Sequence, residues 1–228
     1  MTTEPMTTEQ LPDAAHTLLQ RLTAEAIGTF LLVTSALLAP AGTTFAVVGL
    51  TLGVMVIAIG KVSGAQINPA VTTALIVARQ FPLRDGLQYM VAQIIGATLA
   101  MLLQTSLLRG LGHPAGAVPA NTGYWLAELL GALILTFTVT RVVVSKATDA
   151  AAALAIGLAL AIGIGVAGAF SGGVLNPAIA LSLMFGGLIS VSHGLLYIVA
   201  PLVGGVLGGL LGRFLASPAE LYVPAGRR

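Results

Sequence analysis

Two triplets, Asn68-Pro69-Ala70 and Asn176-Pro177-Ala178, stand 108 positions apart in a chain of 228 residues. Each opens a short apolar segment. Proline suits the first helical position, because its missing N–H had no partner there anyway. Asparagine suits the N-cap, where its side-chain oxygen accepts a backbone N–H. That geometry leaves the amide N–H₂ to donate elsewhere. Two such residues brought together offer paired donors to a neutral solute. They also bring together two helix N-termini, each worth about +0.5 charge. A cation about 5 Å from both is repelled by about 3 kcal/mol at an effective dielectric of about 20. A neutral solute feels no such net repulsion. One Asn-Pro pair is an ordinary turn signal. Two at symmetric positions, each heading a half-length apolar segment, point beyond a turn.

Two acids, Glu25 and Glu128, also lie inside apolar stretches, where a carboxylate is costly and needs partners. Their equivalent places imply one shared job, with a proton relay and a role not yet recognised among the candidates. There is no cysteine, so thiolate chemistry is excluded. The spans hold no metal-ligand cluster and no nucleophile-base arrangement. The expectation is a protein that is not an enzyme and has no cofactor and no metal. A net charge of +2 gives no sign of a nucleic-acid partner.

The elements that must position these residues are membrane spans. The chain is 57% hydrophobic and only 8% charged, with a mean hydropathy of +0.98. A soluble domain carries roughly 25% charged residues. A spanning helix needs about 20 mostly apolar residues. Six segments qualify, near 22–40, 44–60, 86–108, 123–143, 150–168 and 193–212. Two more, near 69–78 and 177–187, are too short to span and begin at the Asn-Pro-Ala triplets. With the N-terminus in the cytoplasm, Arg21, Lys61, Arg79, Arg84, Arg141, Lys146, Arg213, Arg227 and Arg228 fall inside and only Arg109 outside. That asymmetry is what the positive-inside rule asks for. The expected location is the cell membrane, with the lipid bilayer as surroundings and both termini cytoplasmic.

The chain contains a copy of itself. Gly49-Leu50 recurs as Gly157-Leu158, Ser63-Gly64 as Ser171-Gly172, and Ala92 and Gly96 as Ala200 and Gly204, all at the offset of the triplets. "AEAIGTF" from Ala24 matches "AELLGAL" from Ala127 at an offset of 103. Three spans per copy put the second copy upside down, an inverted repeat. The expected layout is a disordered cytoplasmic tail over 1–20, a first repeat over 21–110, an extracellular linker over 111–122, a second repeat over 123–216 and a cytoplasmic tail over 217–228. The fold class is all-α and polytopic, with six transmembrane helices and two re-entrant half-helices.

Over its span region the chain resembles the aquaporin and aquaglyceroporin family, the major intrinsic proteins. "SGAQINPAVT" (Ser63–Thr72) is similar to the family's first signature and "SGGVLNPA" (Ser171–Ala178) to its second. "AEAIGTF" and "AELLGAL" resemble its openings of the first and fourth spans. The resemblance implies an hourglass fold, one pore per subunit and a homotetramer. It implies passive conduction of water or small neutral solutes, and carboxylates at Glu25 and Glu128 that brace the re-entrant loops.

The departures are as informative. The family's outer constriction usually carries an arginine just after the second triplet. Counting from the two asparagines places the four constriction positions at Val48, Ile164, Gly173 and Ile179, with Ile179 where that arginine would stand. None is charged, aromatic or a side-chain donor. Gly173 adds width, and the other three make the wall apolar. Such a wall slows water by dewetting and favours solutes with carbon surface. Glycerol-like polyols lead, with hydrogen peroxide, urea and dissolved gases also open. A mainly water-conducting pore and a poorly conducting one remain alternatives. Tyr197 is similar to the water-selective group, whereas Ala180 lacks the acid usual in glycerol-conducting members.

Gln66 and Lys61 stand where the family commonly has histidines. Both are candidates for the inner mouth, and Lys61 alternatively marks the membrane boundary. The glycines of Val203–Gly212 repeat at four-residue spacing and suit close helix packing inside the subunit or between subunits. His16 and His113 read as solvated, His193 as an interface residue, and Asp85 as a first-turn acid. An inverted-repeat secondary transporter is a rival reading, but it normally needs intramembrane charges beyond Glu25 and Glu128. A purely structural membrane protein is another, and it needs no paired triplets.

Overall fold

The computed structural model describes residues 16–40, 42–110 and 122–221, without the side chains of 107–110. Expectations for the tail before residue 16, for His113, Arg227 and Arg228, for the side chain of Arg109 and for nearly all of the 111–122 linker lie outside the described residues. The described elements are all helical: α1 (Leu18–Leu38), α2 (Thr44–Ser63), α3 (Pro69–Val77), α4 (Leu83–Gly110), α5 (Tyr124–Val144), α6 (Asp149–Ser171), α7 (Pro177–Phe185), α8 (Val191–Phe214) and α9 (Pro218–Leu221). Six of them are long and apolar enough to cross a membrane. The first helix starts inside the expected tail. Thr17 and Gln20 form a capping box there, with the Thr17 N–H on Gln20 Oε1 at 2.8 Å. The final tail likewise contains α9.

The half-helices begin at the expected residues. Asn68 and Asn176 are N-caps in extended conformation, and Pro69 and Pro177 are the first helical residues. Each has 9 residues, or about 13 Å of rise, under half a hydrocarbon core. Both end slightly sooner than the apolar pattern suggests. Arg79 and Gly187 take left-handed φ of 59° and 71°. The next N–H groups, of Gln80 and Leu188, then bond back to Leu75 and Leu183, a helix-ending motif.

Pairings respect the repeat. α1 packs on α4 as α5 packs on α8, and α1 on α2 as α5 on α6. Each half-helix also leans on the other repeat, α3 on α8 and α7 on α4. α2 and α6 meet at the pseudo-two-fold. A Cβ on Gly49 would sit 2.7 Å from the Gly157 carbonyl, and one on Gly157 would sit 2.7 Å from the Gly49 carbonyl. No other residue fits that crossing. The α8 glycines divide between two neighbours inside the chain: Gly204, Gly208 and Gly212 abut α5, while Gly205 and Gly209 abut Ala70 and Ala74 of α3. Large apolar side chains point outward instead. Leu87, Val91, Ile95 and Leu99 form an exposed row on α4. Small residues inside and large ones outside suit a bundle whose solvent is lipid.

One end of the bundle gathers charge. Arg21 pairs with Asp85 at 3.0 Å, Lys61 with Asp149 at 3.0 Å and Arg141 with Glu220 at 2.8 Å. Arg213 donates to the Ala78 carbonyl at 2.9 Å, so a cation caps the C-terminus of α3.

Candidate functional site: two capped half-helices on one cavity

The chain between α2 and α3 must leave helix, run to the bundle centre and start again. In an apolar interior every backbone N–H on that path needs a partner. Glu25, fully buried on α1, supplies it. Its Oε2 accepts the Ile67 N–H at 2.6 Å. Its Oε1 accepts the Gln66 N–H at 3.0 Å and the Ser63 hydroxyl at 2.6 Å. Glu128 on α5 repeats the pattern with Leu175 at 2.6 Å, Val174 at 2.8 Å and Ser171 at 2.6 Å. The Ser63 and Ser171 hydroxyls also accept the Ala65 and Gly173 N–H groups. Behind them, Tyr89 and Tyr197 donate to the Ser63 and Ser171 carbonyls at 3.0 and 2.8 Å.

The copies differ in one respect. Gln93 donates to Glu25 Oε2 at 2.8 Å and to Thr72 at 3.1 Å. The equivalent positions in the second copy are Pro201 and Ala180. Glu25 therefore has four donors and Glu128 three. Gln93 escapes sequence reasoning because its counterpart is apolar. The tyrosines were findable, since they obey the repeat offset.

The asparagines close the centre. Asn68 Oδ1 accepts the Ala70 N–H at 2.8 Å, and Asn176 Oδ1 accepts that of Ala178 at 3.0 Å. Their amides are not wholly free, however. Asn68 Nδ2 donates to the Leu175 carbonyl at 3.0 Å, and Asn176 Nδ2 to the Ile67 carbonyl at 3.1 Å. The expected N–H₂ pair is thus reduced to one spare hydrogen on each residue.

Both asparagines line a cavity of about 240 Å³. It runs from Ala36, Leu37 and Thr44 past the triplets to Leu75, Val139 and Val143. Val48, Ile164, Gly173 and Ile179 all line it. Gly173 is pressed against Ile164, and a Cβ there would lie 2.9 Å from the Ile164 Cα. Gln66 lines the cavity too, and its Oε1 is buried without a protein partner. Lys61 does not line it. Its side chain is 82% exposed beside Asp149, a place that suits either the boundary or the inner mouth. Pro69, Ala70, Pro177 and Ala178 are packed behind the asparagines rather than along the cavity.

The unpartnered backbone groups of the loops are acceptors. The N–H groups of residues 64–67 and 172–175 are all bound to carboxylate, serine or helix carbonyl. Among the described residues, no protein donor reaches the carbonyls of Gly64, Ala65, Gln66, Gly172, Gly173 or Val174. All six residues line the cavity.

The profile of the major intrinsic protein family matches residues 13–152 and 121–225. The chain belongs to the major intrinsic protein family. Among its relatives, "Glycerol uptake facilitator protein-like 6" of Lactiplantibacillus plantarum is 34% identical over 87% of this chain and 99% of that one. "Aquaporin AqpM" of Methanothermobacter thermautotrophicus is 31% identical over 74% of each. The aquaglyceroporin from Plasmodium falciparum has the same fold, with a TM-score of 0.75 at 23% identity over 90% of this chain and 99% of that one. This major intrinsic protein is accordingly a multi-pass membrane channel that passes small solutes passively, and not an enzyme.

Proposed function

We propose that the protein conducts small uncharged solutes with carbon surface, glycerol-like polyols foremost, through one passage per protomer. The supporting observation is the shared cavity of Asn68, Asn176, Val48, Ile164, Gly173 and Ile179. Around it, three apolar side chains and a glycine stand where a charged, donor-rich constriction is usual for the family. An apolar wall disfavours a water file and contacts the carbon of a polyol. Ion exclusion falls to the abutting N-termini of α3 and α7, which repel cations at the point where the asparagines meet.

Glu25 and Glu128 act as braces. The full set of donors around each supports this over a proton relay, and a channel over an ion-coupled transporter. The protein sits in the cell membrane with both termini in the cytoplasm and works as a homotetramer. The clustering of Arg21, Lys61, Arg141 and Arg213 at one end of the bundle supports that orientation.

Stopped-flow light scattering on proteoliposomes tests the reading. Protein-dependent glycerol flux is expected, with water permeability raised less than glycerol permeability. Fast water flux with glycerol excluded would overturn it in favour of a water channel.

A further inference from the structure

The polar groups along the cavity differ in direction as well as number. Glu25 and Glu128 draw the loop N–H groups away from the lumen, so the loops leave it only carbonyl oxygens. Ala65, Gln66 and Gly173 are buried residues, a buried carbonyl without a partner is costly, and whatever fills the cavity there must donate to it. Donors are few and placed elsewhere. Asn68 and Asn176 hold one spare N–H each. Gln66 adds an amide in the first loop, whose chain leads into Asn68. The outer set of Val48, Ile164, Gly173 and Ile179 has no side-chain donor, and the Gly173 N–H is taken by Ser171. Thr44 lies one helical turn outward of Val48 and is only half-buried.

We propose that the passage selects by hydrogen-bond direction: at Val48, Ile164, Gly173 and Ile179 a solute can donate but cannot be donated to. Among neutral solutes of one size, those bearing an acceptor-only group are held back. The inference rests on the reading of these four residues as the constriction of a solute channel. A hydroxyl oxygen crosses by turning its hydrogen to the carbonyls of Gly172 to Val174. A ketone or amide oxygen has no hydrogen to turn and crosses with its water stripped and nothing in return.

Glycerol and dihydroxyacetone make the test. They share three carbons and three oxygens, but one hydroxyl-bearing carbon of glycerol is a carbonyl in dihydroxyacetone. Each is loaded against proteoliposomes, and the flux of protein-free vesicles is subtracted. Glycerol is expected to be faster by about tenfold, the ratio that corresponds to one unmade hydrogen bond of about 1.4 kcal/mol. Ile179→Gln places an amide donor at the constriction and should bring the ratio towards one, while Ile179→Leu should leave it unchanged. Equal permeabilities through the unaltered protein overturn the directional rule and leave the channel standing. No protein-dependent flux of either solute overturns the polyol reading and the rule with it. An unchanged ratio in a conducting Ile179→Gln protein also overturns the rule, because the missing donor is then not its cause.

Discussion

Asn68 reaches across the pseudo-two-fold to Leu175, its Nδ2 lying 3.0 Å from the Leu175 carbonyl oxygen. Asn176 and Ile67 make the reciprocal bond at 3.1 Å. Ile67 and Leu175 have left-handed φ of 40° and 49°, a costly backbone for residues with bulky side chains. Each is held at both ends, its N–H by a carboxylate of its own repeat and its carbonyl by the asparagine of the other. The two loops are therefore one cross-linked unit, and neither re-entrant segment is held by its own repeat alone.

Asn68→Ala should reveal that coupling. It removes an N-cap, worth about 1 kcal/mol, and leaves a buried Leu175 carbonyl unpaired, at about 1–3 kcal/mol. The expected loss is about 2–4 kcal/mol, read as a lower thermal midpoint in detergent. The double variant with Asn176→Ala should lose less than the sum of the single changes, because both act on one linked structure.

Asn68→Asp separates capping from charge. The carboxylate still accepts the Ala70 N–H, but it cannot donate to Leu175. It also places a negative charge where the α3 and α7 dipole ends meet, which cancels their repulsion of cations. Proton or potassium leak into proteoliposomes should rise well above the unaltered protein, measured with a trapped pH dye or a potential-sensitive dye. Ion flux that stays at the unaltered level would remove the asparagine site from any part in ion exclusion.

Glu128 is expected to be structural. Glu128→Ala leaves the part-buried Val174 and the buried Leu175 N–H groups without acceptors and should cost about 2–5 kcal/mol. Glu128→Gln keeps one accepting oxygen, so it should cost less and keep most solute flux in vesicles. Flux abolished by Gln with the thermal midpoint intact would return the relay reading.

The parts legible in sequence are those with local or repeated causes. Asn-Pro is a local signal, and it placed the starts of α3 and α7 to the residue. The repeat offset tied Ser63 to Ser171 and could have tied Tyr89 to Tyr197. Span ends were less legible, because apolar runs such as the one through Leu183 continue past a turn set by the left-handed Gly187. Contacts between distant segments without a symmetric copy left no trace, as with Gln93 on Glu25, or Arg141 on Glu220. The bonds that take half of each asparagine amide were illegible although they obey the repeat, since each joins a side chain to a backbone carbonyl across 107 or 109 positions.

The α8 glycines should tolerate no branching. A Cβ on Gly204 would lie 2.6 Å from the Leu129 carbonyl, so Gly204→Val must push α8 off α5. The variant should fail to survive detergent extraction as a monodisperse species in size-exclusion chromatography. Val203→Leu, on the half-exposed side of the same helix, should elute unchanged.

Glu220 ties α9 to α5, and acid should loosen it. Its carboxyl is held below the usual 4.5 by the Ser217 N–H first and by Arg141 next. A depressed folded value means that the contribution is full above the unfolded value and fades as pH falls through the folded one. The group is on the surface, so global stability should barely change. Amide exchange at 217–221 should rise once pH drops below the ordinary carboxylate range, and Glu220→Gln should show that faster exchange already at neutral pH.

Gly173→Ala is the smallest change that should narrow the passage. The added Cβ would lie 2.9 Å from the Ile164 Cα, so the loop must move off α6 and into the lumen. The left-handed backbone does not forbid the change, because the equivalent residue of the first repeat, Ala65, already holds a φ of 48°. The conformational cost should therefore stay near 1 kcal/mol, and the protein should still fold. Glycerol permeability should fall several-fold while water permeability falls less, since the lost width matters most to the larger solute. If both fall in the same proportion, the width at Gly173 does not discriminate between them.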